Sequence, residues 1–273
     1  AEEATWNLNM PRGVTEVSQA AYDIHMIMMW ICTVIGVLVF GFMFYVMFAH
    51  RKSRGVKAAN FHENLTVEIL WTIVPALILI VMAVPATTAL LKVYDTENPD
   101  IDIKVTGYQW KWHYDYIGED VSFYSTIHKD SNVTRQRGSQ LDPFSVDHYL
   151  RDVDNYLVVP TNKKIRFLTT AGDVIHAWWV PALGWKRDAI PGFINESWAF
   201  IQEPGVYRGQ CAELCGKDHG FMSIVVEAVP EADYLAWVAE KVEEKALARN
   251  HSKALQEVNS VALAEDNRIQ SGE

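Results

Sequence analysis

Only three cysteines occur in 273 residues: Cys32, Cys211 and Cys215. Three thiols cannot build the dense disulfide framework of a small secreted domain. The sequence also lacks a glycine-rich phosphate loop, an internal repeat and a basic patch. Nucleotide-cradling and solenoid architectures are excluded on that ground. From residue 92 onward, 19 Lys and Arg face 28 Asp and Glu, a net of -9 within the chain's total of -10. Nucleic acid is therefore excluded as a partner, because the phosphate backbone would be repelled. A basic protein is the soluble partner such a surface favours.

Two stretches lack charge altogether. Met26 to Ala49 and Ile69 to Leu91 run 24 and 23 residues without Asp, Glu, Lys or Arg. About 20 apolar residues suffice to cross a ~30 Å hydrocarbon core, so both are predicted spans. Cys32 falls in the first and is expected to be a buried structural thiol. The connecting loop carries Arg51, Lys52, Arg54 and Lys57, whereas the segment before the first span has Arg12 against Glu2, Glu3, Glu16 and Asp23. The positive-inside rule puts that loop in the cytoplasm and everything after Leu91 on the outer face. That face is the periplasm of a bacterium or the intermembrane space of a mitochondrion. The sequence opens Ala1-Glu2-Glu3, and a targeting segment is expected to have been removed before it. Pro75 and Pro85 inside the second span suggest packing against a larger membrane partner. Glu68 opens that span, as a helix-start carboxylate or as the mouth of a proton path.

Beyond Leu91 the periodicity changes to two. Ile101, Ile103 and Val105 alternate with Asp102, Lys104 and Thr106. Short β-rich runs follow at Leu157–Val159, Ile165–Thr169, Val174–Val180, Trp198–Ile201 and Ile224–Glu227, punctuated by Gly, Pro, Asn and Asp. Such spacing predicts an all-β sandwich or barrel. Ser125 to Asp154 reads as a polar, irregular insertion. From Glu231 the pattern is helical, with Leu235, Val238 and Val242 expected on one face and a frayed tail beyond. Three divisions result: 1–91 for the hairpin, 92–230 for the β domain and 231–273 for the terminal helix and tail.

One loop concentrates metal-binding groups. It reads Cys211-Ala212-Glu213-Leu214-Cys215-Gly216-Lys217-Asp218-His219-Gly220-Phe221-Met222. Thiolate, imidazole and thioether are soft donors that favour copper over hard cations. Two thiolates can bridge two metal ions, each of which then needs one imidazole and one weak ligand. His219 and Met222 supply one of each, and the backbone carbonyl of Glu213 can be the other weak ligand. The missing imidazole is expected from His176, centred in Val174-Ile175-His176-Ala177-Trp178-Trp179. A Cys211–Cys215 disulfide, a zinc site and a mononuclear blue-copper site remain open on these residues alone.

The motif CAELCGKDHGFM closely resembles the two-copper, or CuA, loop of subunit II of the haem–copper cytochrome c oxidases. Asp173 to Gly184 (DVIHAWWVPALG), Gly107 to Trp112 (GYQWKW) and Glu68 to Pro75 (EILWTIVP) resemble that family's other landmarks. The likeness spans about residues 20 to 245. It implies a cupredoxin-like Greek-key β-sandwich on a two-helix transmembrane hairpin, docked in lipid against oxidase subunit I and also subunit III. It implies two copper ions held by His176, Cys211, Glu213, Cys215, His219 and Met222, with the Glu213 side chain facing a Mg or Mn ion shared with subunit I. Trp110 would receive electrons from cytochrome c. Asp115, Glu119, Asp120, Asp154 and Asp173 would guide that donor, and Glu68 would sit at a proton-path mouth. Haem would lie only in the partner subunit, where oxygen is reduced and protons are pumped. These residues contain no Cys-x-x-Cys-His haem-attachment motif, so a separate donor is implied. The competing reading is a membrane-tethered copper-delivery module.

Overall fold

The structure is a computed structural model and describes residues 8–57 and 59–250. The expected processing point at Ala1 and the expected frayed tail past residue 250 lie outside the described residues. The chain divides into two compact units: one runs to Asp95 and takes in Ala182–Trp185, and the other is Thr96–Pro181 with Lys186 onward.

The first unit is built on two long helices, α1 (Glu16–Ala49) and α2 (Leu65–Val93). Helix α1 starts ten residues before its uncharged run because Thr15 and Ser18 form a reciprocal capping box. At 34 residues it is about 51 Å long, more than a span requires. Asn64 starts α2 by accepting the Val67 N–H at 3.2 Å, and the helix continues through Pro75 and Pro85. Both helices reach a mean hydropathy of 2.5 over a span-length window. A core helix of a soluble protein would bury such residues, yet Val37, Phe42 and Leu79 are 67, 69 and 70% exposed. These are helices made for lipid.

Cys32 corrects one expectation, for it is exposed rather than buried. A hairpin of two helices shares a single seam, and Cys32 lies off it.

The second unit is a β-sandwich. One sheet has the order β3-β2-β1-β5-β8 and the other β4-β10-β9-β6-β7. In chain order the strands are β1 (Ile101–Tyr108), β2 (Lys111–Tyr116), β3 (Val121–Ser125), β4 (Leu157–Pro160), β5 (Lys164–Ala171), β6 (His176–Val180), β7 (Trp185–Ala189), β8 (Asn195–Phe200), β9 (Gly205–Cys211) and β10 (Ser223–Val229). Strand β1 pairs antiparallel with β2 and parallel with β5, while β10 pairs antiparallel with β9 and parallel with β4. Alternation sends Ile103, Val105, Ile165, Phe167, Trp112 and Tyr114 fully inward. The buried hydroxyl of Tyr116 donates to Val158 O at 2.7 Å, so its burial leaves no donor stranded.

Strand β6 begins at His176, two residues later than the apolar run suggests. Asp173 Oδ1 accepts the Val174 N–H at 2.6 Å. A side chain that takes a neighbouring backbone donor removes it from the sheet ladder.

The segment between β3 and β4 contains a short helix, α3 (Lys129–Thr134), and a 3-10 turn at Pro143–Ser145. Helix α4 covers 231–250. Its inward face is Tyr234 and Val238, with Trp237 beside them, and Leu235 is 56% exposed. Tyr234 and Trp237 pack their rings on Tyr116, which turns the next-door position outward by the helix's ~100° step.

Candidate metal centre

Strands β9 and β10 are joined by the Cys211–Met222 loop, and β6 runs beside β9. In that pairing Trp178 stands opposite Cys211, so His176 is delivered to the loop by sheet register. The Ala212 N–H donates to Ala177 O at 2.9 Å and holds the loop's start on β6. Cys211 and Cys215 are four residues apart, and their sulfurs lie 3.9 Å from each other. His176 Nδ1 is 3.9 Å from Cys211 Sγ, and His219 Nδ1 is 3.6 Å from Cys215 Sγ. Met222 Sδ lies 3.5 Å from Cys215 Sγ, and Glu213 O lies 3.4 Å from Cys211 Sγ. All six groups named from the sequence therefore meet in one place.

His176 is fully buried, and Cys211, Cys215 and Met222 are 5, 4 and 1% exposed. His219 is half-buried and the Glu213 side chain is exposed. The donors fit soft metal ions. Two bonds of ~2.3 Å, the usual length for a borderline-soft metal and thiolate, can bridge the 3.9 Å between the sulfurs. Both cysteines are free thiols. A zinc site would leave the buried Met222 thioether without a role. A mononuclear copper site would leave one of two buried thiols spare.

The electrostatics suit a cation. Burial pushes the Cys211 thiol up, but hydrogen bonds with His176, the Ala177 and Glu213 backbone and His219 together outweigh it and bring the thiol to about 7. Burial, and then the charge on Cys211, push Cys215 up to about 12. The pair gives up one proton readily and keeps the second until a metal replaces it. Burial alone would lower the His176 pKa, yet its contacts with Cys211 and Asp173 raise it overall. Asp173 sits below the ordinary carboxylate range: burial opposes this, and hydrogen bonds from His176, Gln109 N–H and Val174 N–H prevail.

Asp173 Oδ1 is 2.9 Å from His176 Nε2. That contact fixes the ring so that Nδ1 faces the sulfurs, the usual outer-sphere arrangement for a ligating histidine. Gly107 makes room for the ring, since a Cβ there would stand 2.8 Å from His176 Cδ2. Trp112 completes the enclosure; its Nε1–H donates to Met222 O at 3.3 Å and its ring meets His176 edge-on. Strand alternation already turns Trp112 inward, and that was the signal available for it in the sequence.

Trp110 lies in the turn between β1 and β2, at the loop's edge. The neighbouring Gln109 donates from Nε2 to Cys215 O at 2.8 Å and from its backbone to Asp173 at 2.6 Å. A Cβ on Gly216 would stand 3.2 Å from the Trp110 ring, so the indole lies against the residue following Cys215.

The acids singled out from the sequence are spread along the domain. Asp173 touches the site, and Asp115 lies on β2 opposite Lys104. Asp154 spends both oxygens on Thr126, at 2.7 and 2.8 Å. Asp120 pairs with Lys245 at 2.7 Å, a hydrogen bond that holds its carboxyl below the usual range. Glu119 and Asp120 sit at the far end of β2 from Trp110, about 20 Å away by strand rise. Glu68 lies in the first turn of α2, in the other unit.

Residues 101–229 match the family described as cytochrome C oxidase subunit II, periplasmic domain, and residues 3–88 match that subunit's transmembrane domain. The chain is 40% identical to a probable cytochrome c oxidase subunit 2 of Rickettsia prowazekii, over 88% of this chain and 74% of that one. It is 37% identical to cytochrome c oxidase subunit 2 of Cyanidium caldarium, over 87% and 91% of the two chains. The crystal structure of the periplasmic domain of subunit II of cytochrome oxidase of Bradyrhizobium japonicum is 39% identical, covering 55% of this chain and 98% of that one, with a TM-score of 0.47.

Proposed function

Because the chain belongs to the cytochrome c oxidase subunit II family, we propose that it is the electron-input subunit of a proton-pumping oxidase, taking electrons from cytochrome c and passing them to the haem of subunit I. The observation that carries this reading is the meeting of two thiols, two imidazoles, one thioether and one carbonyl in a single buried cluster. His176, Cys211, Glu213 O, Cys215, His219 and Met222 would hold two copper ions. Bound there, the pair of coppers supplies one-electron storage with the charge change spread over both ions.

The chain's own residues make that storage workable. Cys211 and Cys215 would supply the two sulfurs to the metals, and their burial keeps competing water out. Asp173 accepts the His176 Nε2 proton and thereby reserves Nδ1 for metal. With six protein groups available to two ions, no coordination position would be left open for oxygen, which suits an electron relay. Trp110, packed at the edge of the loop, is the port for the donor. The exposed Glu213 side chain is free to share a Mg or Mn ion with subunit I. Glu68, at one end of a lipid-facing helix, would sit at the mouth of a proton path in subunit I. The hairpin anchors the chain in the bacterial inner membrane with the β domain in the periplasm; the mitochondrial inner membrane is the alternative. Subunit III is a further neighbour in this reading.

Docking follows from charge. A basic cytochrome c would be drawn by the acidic domain and guided by Asp115, Asp154 and Asp173. Glu119 and Asp120 are about two Debye lengths from Trp110 at physiological salt, so their guidance is weak. Turnover with a basic cytochrome c is expected to fall as ionic strength rises from about 0.01 to 0.15 M, while the Debye length shrinks from ~30 to ~8 Å. Steady-state oxygen uptake against salt checks this. A salt-independent rate would contradict the acidic docking surface.

A further inference from the structure

The segment between β3 and β4 takes no part in the ligand set, yet it is stitched to the metal loop. Its two ends are held together: Ile127 bridges Val153, and the His128 N–H donates to Asp152 O at 3.0 Å. Ser131, fully buried, accepts the Leu150 N–H at 3.0 Å, and Leu150 O in turn accepts the Ser223 hydroxyl at 2.6 Å. Ser223 is the residue after Met222. From this clip Arg135 reaches the other side of the loop. Its Nη1 donates to Asp218 Oδ1 at 3.2 Å, and its guanidinium lies 4.3 Å over the Phe221 ring. Its Nε donates to Asn132 Oδ1 at 2.9 Å, which fixes the plane of the fork.

Asp218 and Phe221 bracket His219. The turn His219–Phe221 is a 3-10 helix of three residues, closed by the Phe221 N–H on Asp218 O at 2.9 Å. Such turns have poor hydrogen-bond geometry and little intrinsic rigidity. Gly216, at a φ of +121°, and Gly220 lie on either side of the ligand and add backbone freedom. Among the turn's contacts, the Arg135 pair joins a charge-assisted hydrogen bond to a cation–π contact, and its partners' side chains are only 19 and 20% exposed. An isolated surface ion pair would be worth little, but this one is shielded and anchored at a third point.

We infer that Arg135 is a positioning residue of the metal centre, clamping the His219 turn from a segment that otherwise lies outside the site. The inference rests on the reading of His219 as a metal ligand. Its physical content is that the imidazole is held near its bound position before metal arrives and after each change of charge. Ligands held by their surroundings keep metal longer than ligands left to move.

The test uses the full chain in detergent, with Arg135→Gln, Asp218→Asn, the double variant and Arg135→Lys. Two quantities are followed: hydrogen exchange of the Phe221 amide in the metal-free chain, and the rate of copper loss to a chelator from the loaded chain. Each single neutral variant is expected to speed both by about five- to tenfold, the size of a shielded charge pair with a ring contact. The double variant should cost no more than Arg135→Gln alone, since that change already removes both the ion pair and the ring contact. Arg135→Lys should recover part of the effect, because it keeps the charge but loses the fork. Wild-type exchange and loss rates in Arg135→Gln, or additive effects in the double, would overturn the clamp. Faster exchange in a chain whose wild type takes up no copper would instead overturn the metal reading, and reduce the pair to a fold contact.

Discussion

Cys215→Ser is expected to cut the copper content of the full chain from two ions to at most one, and to abolish the signal of an electron shared between two coppers. The reason lies in the geometry. The two sulfurs stand 3.9 Å apart, each beside one imidazole Nδ1, and Cys215 also neighbours the Met222 thioether. On the two-copper reading its removal would take a shared donor from both ions, and it leaves His219 and Met222 without the sulfur they flank. A serine hydroxyl is harder, less acidic and a poor partner for soft ions. The site is buried, so water cannot readily stand in for the lost ligand. A hydroxyl of similar size costs the fold little, which separates metal loss from unfolding; the exchange pattern of the β5 amides serves as the control. Oxygen uptake with cytochrome c should fall to background. Two coppers per chain in this variant would contradict the bridging role of Cys215.

Trp110→Ala is expected to lower turnover with cytochrome c by about 100-fold, the cost typical of losing a critical positioning contact, while leaving copper content unchanged. The indole packs on the loop at Gly216 yet belongs to the β1–β2 turn, and it contributes no ligand. Its loss therefore leaves the six donors in place. What would disappear, on the proposed reading of Trp110 as the port, is the aromatic ring that packs beside the residue following Cys215. The deficit should persist at saturating cytochrome c, because it acts on electron transfer more than on encounter. Metal analysis, a paramagnetic resonance spectrum and turnover on the same sample distinguish the two effects. Loss of copper together with turnover would make Trp110 a structural support; normal turnover would remove it from the electron path.

Much of this was legible in the sequence because the informative signals are local. Two charge-free runs specify the hairpin, and a twelve-residue loop carries four of the six ligand groups, with Glu213 O making a fifth. Alternation gives β1 and β5, whose inward residues are buried apart from the half-buried Ile101 at the start of β1. His176 was reachable by counting donors and by the resemblance of Asp173 to Gly184, not from the loop itself, because the register of β6 against β9 brings it there from 35 residues away.

What was hidden depends on longer-range packing. Strand β7, WKRDA, has no alternation to read, and β3, VSFYS, is short and largely polar. Asp173 reads as a surface acid, but its contact with His176 makes it part of the centre's support. Arg135 lies 83 residues before Asp218 in a stretch that looks irregular, and nothing in its neighbourhood signals the contact. The outward turn of Leu235 depends on Tyr234 and Trp237 meeting Tyr116, a choice made by packing between two apolar helix faces.

If the loop from Cys211 to Met222, with His176, holds two coppers as one electron-relaying unit, copper content per chain and the paramagnetic resonance spectrum of the oxidised full chain must agree. The expected result is two coppers per chain and one unpaired electron coupled equally to both nuclei. One copper per chain, or an electron confined to a single nucleus, would contradict it.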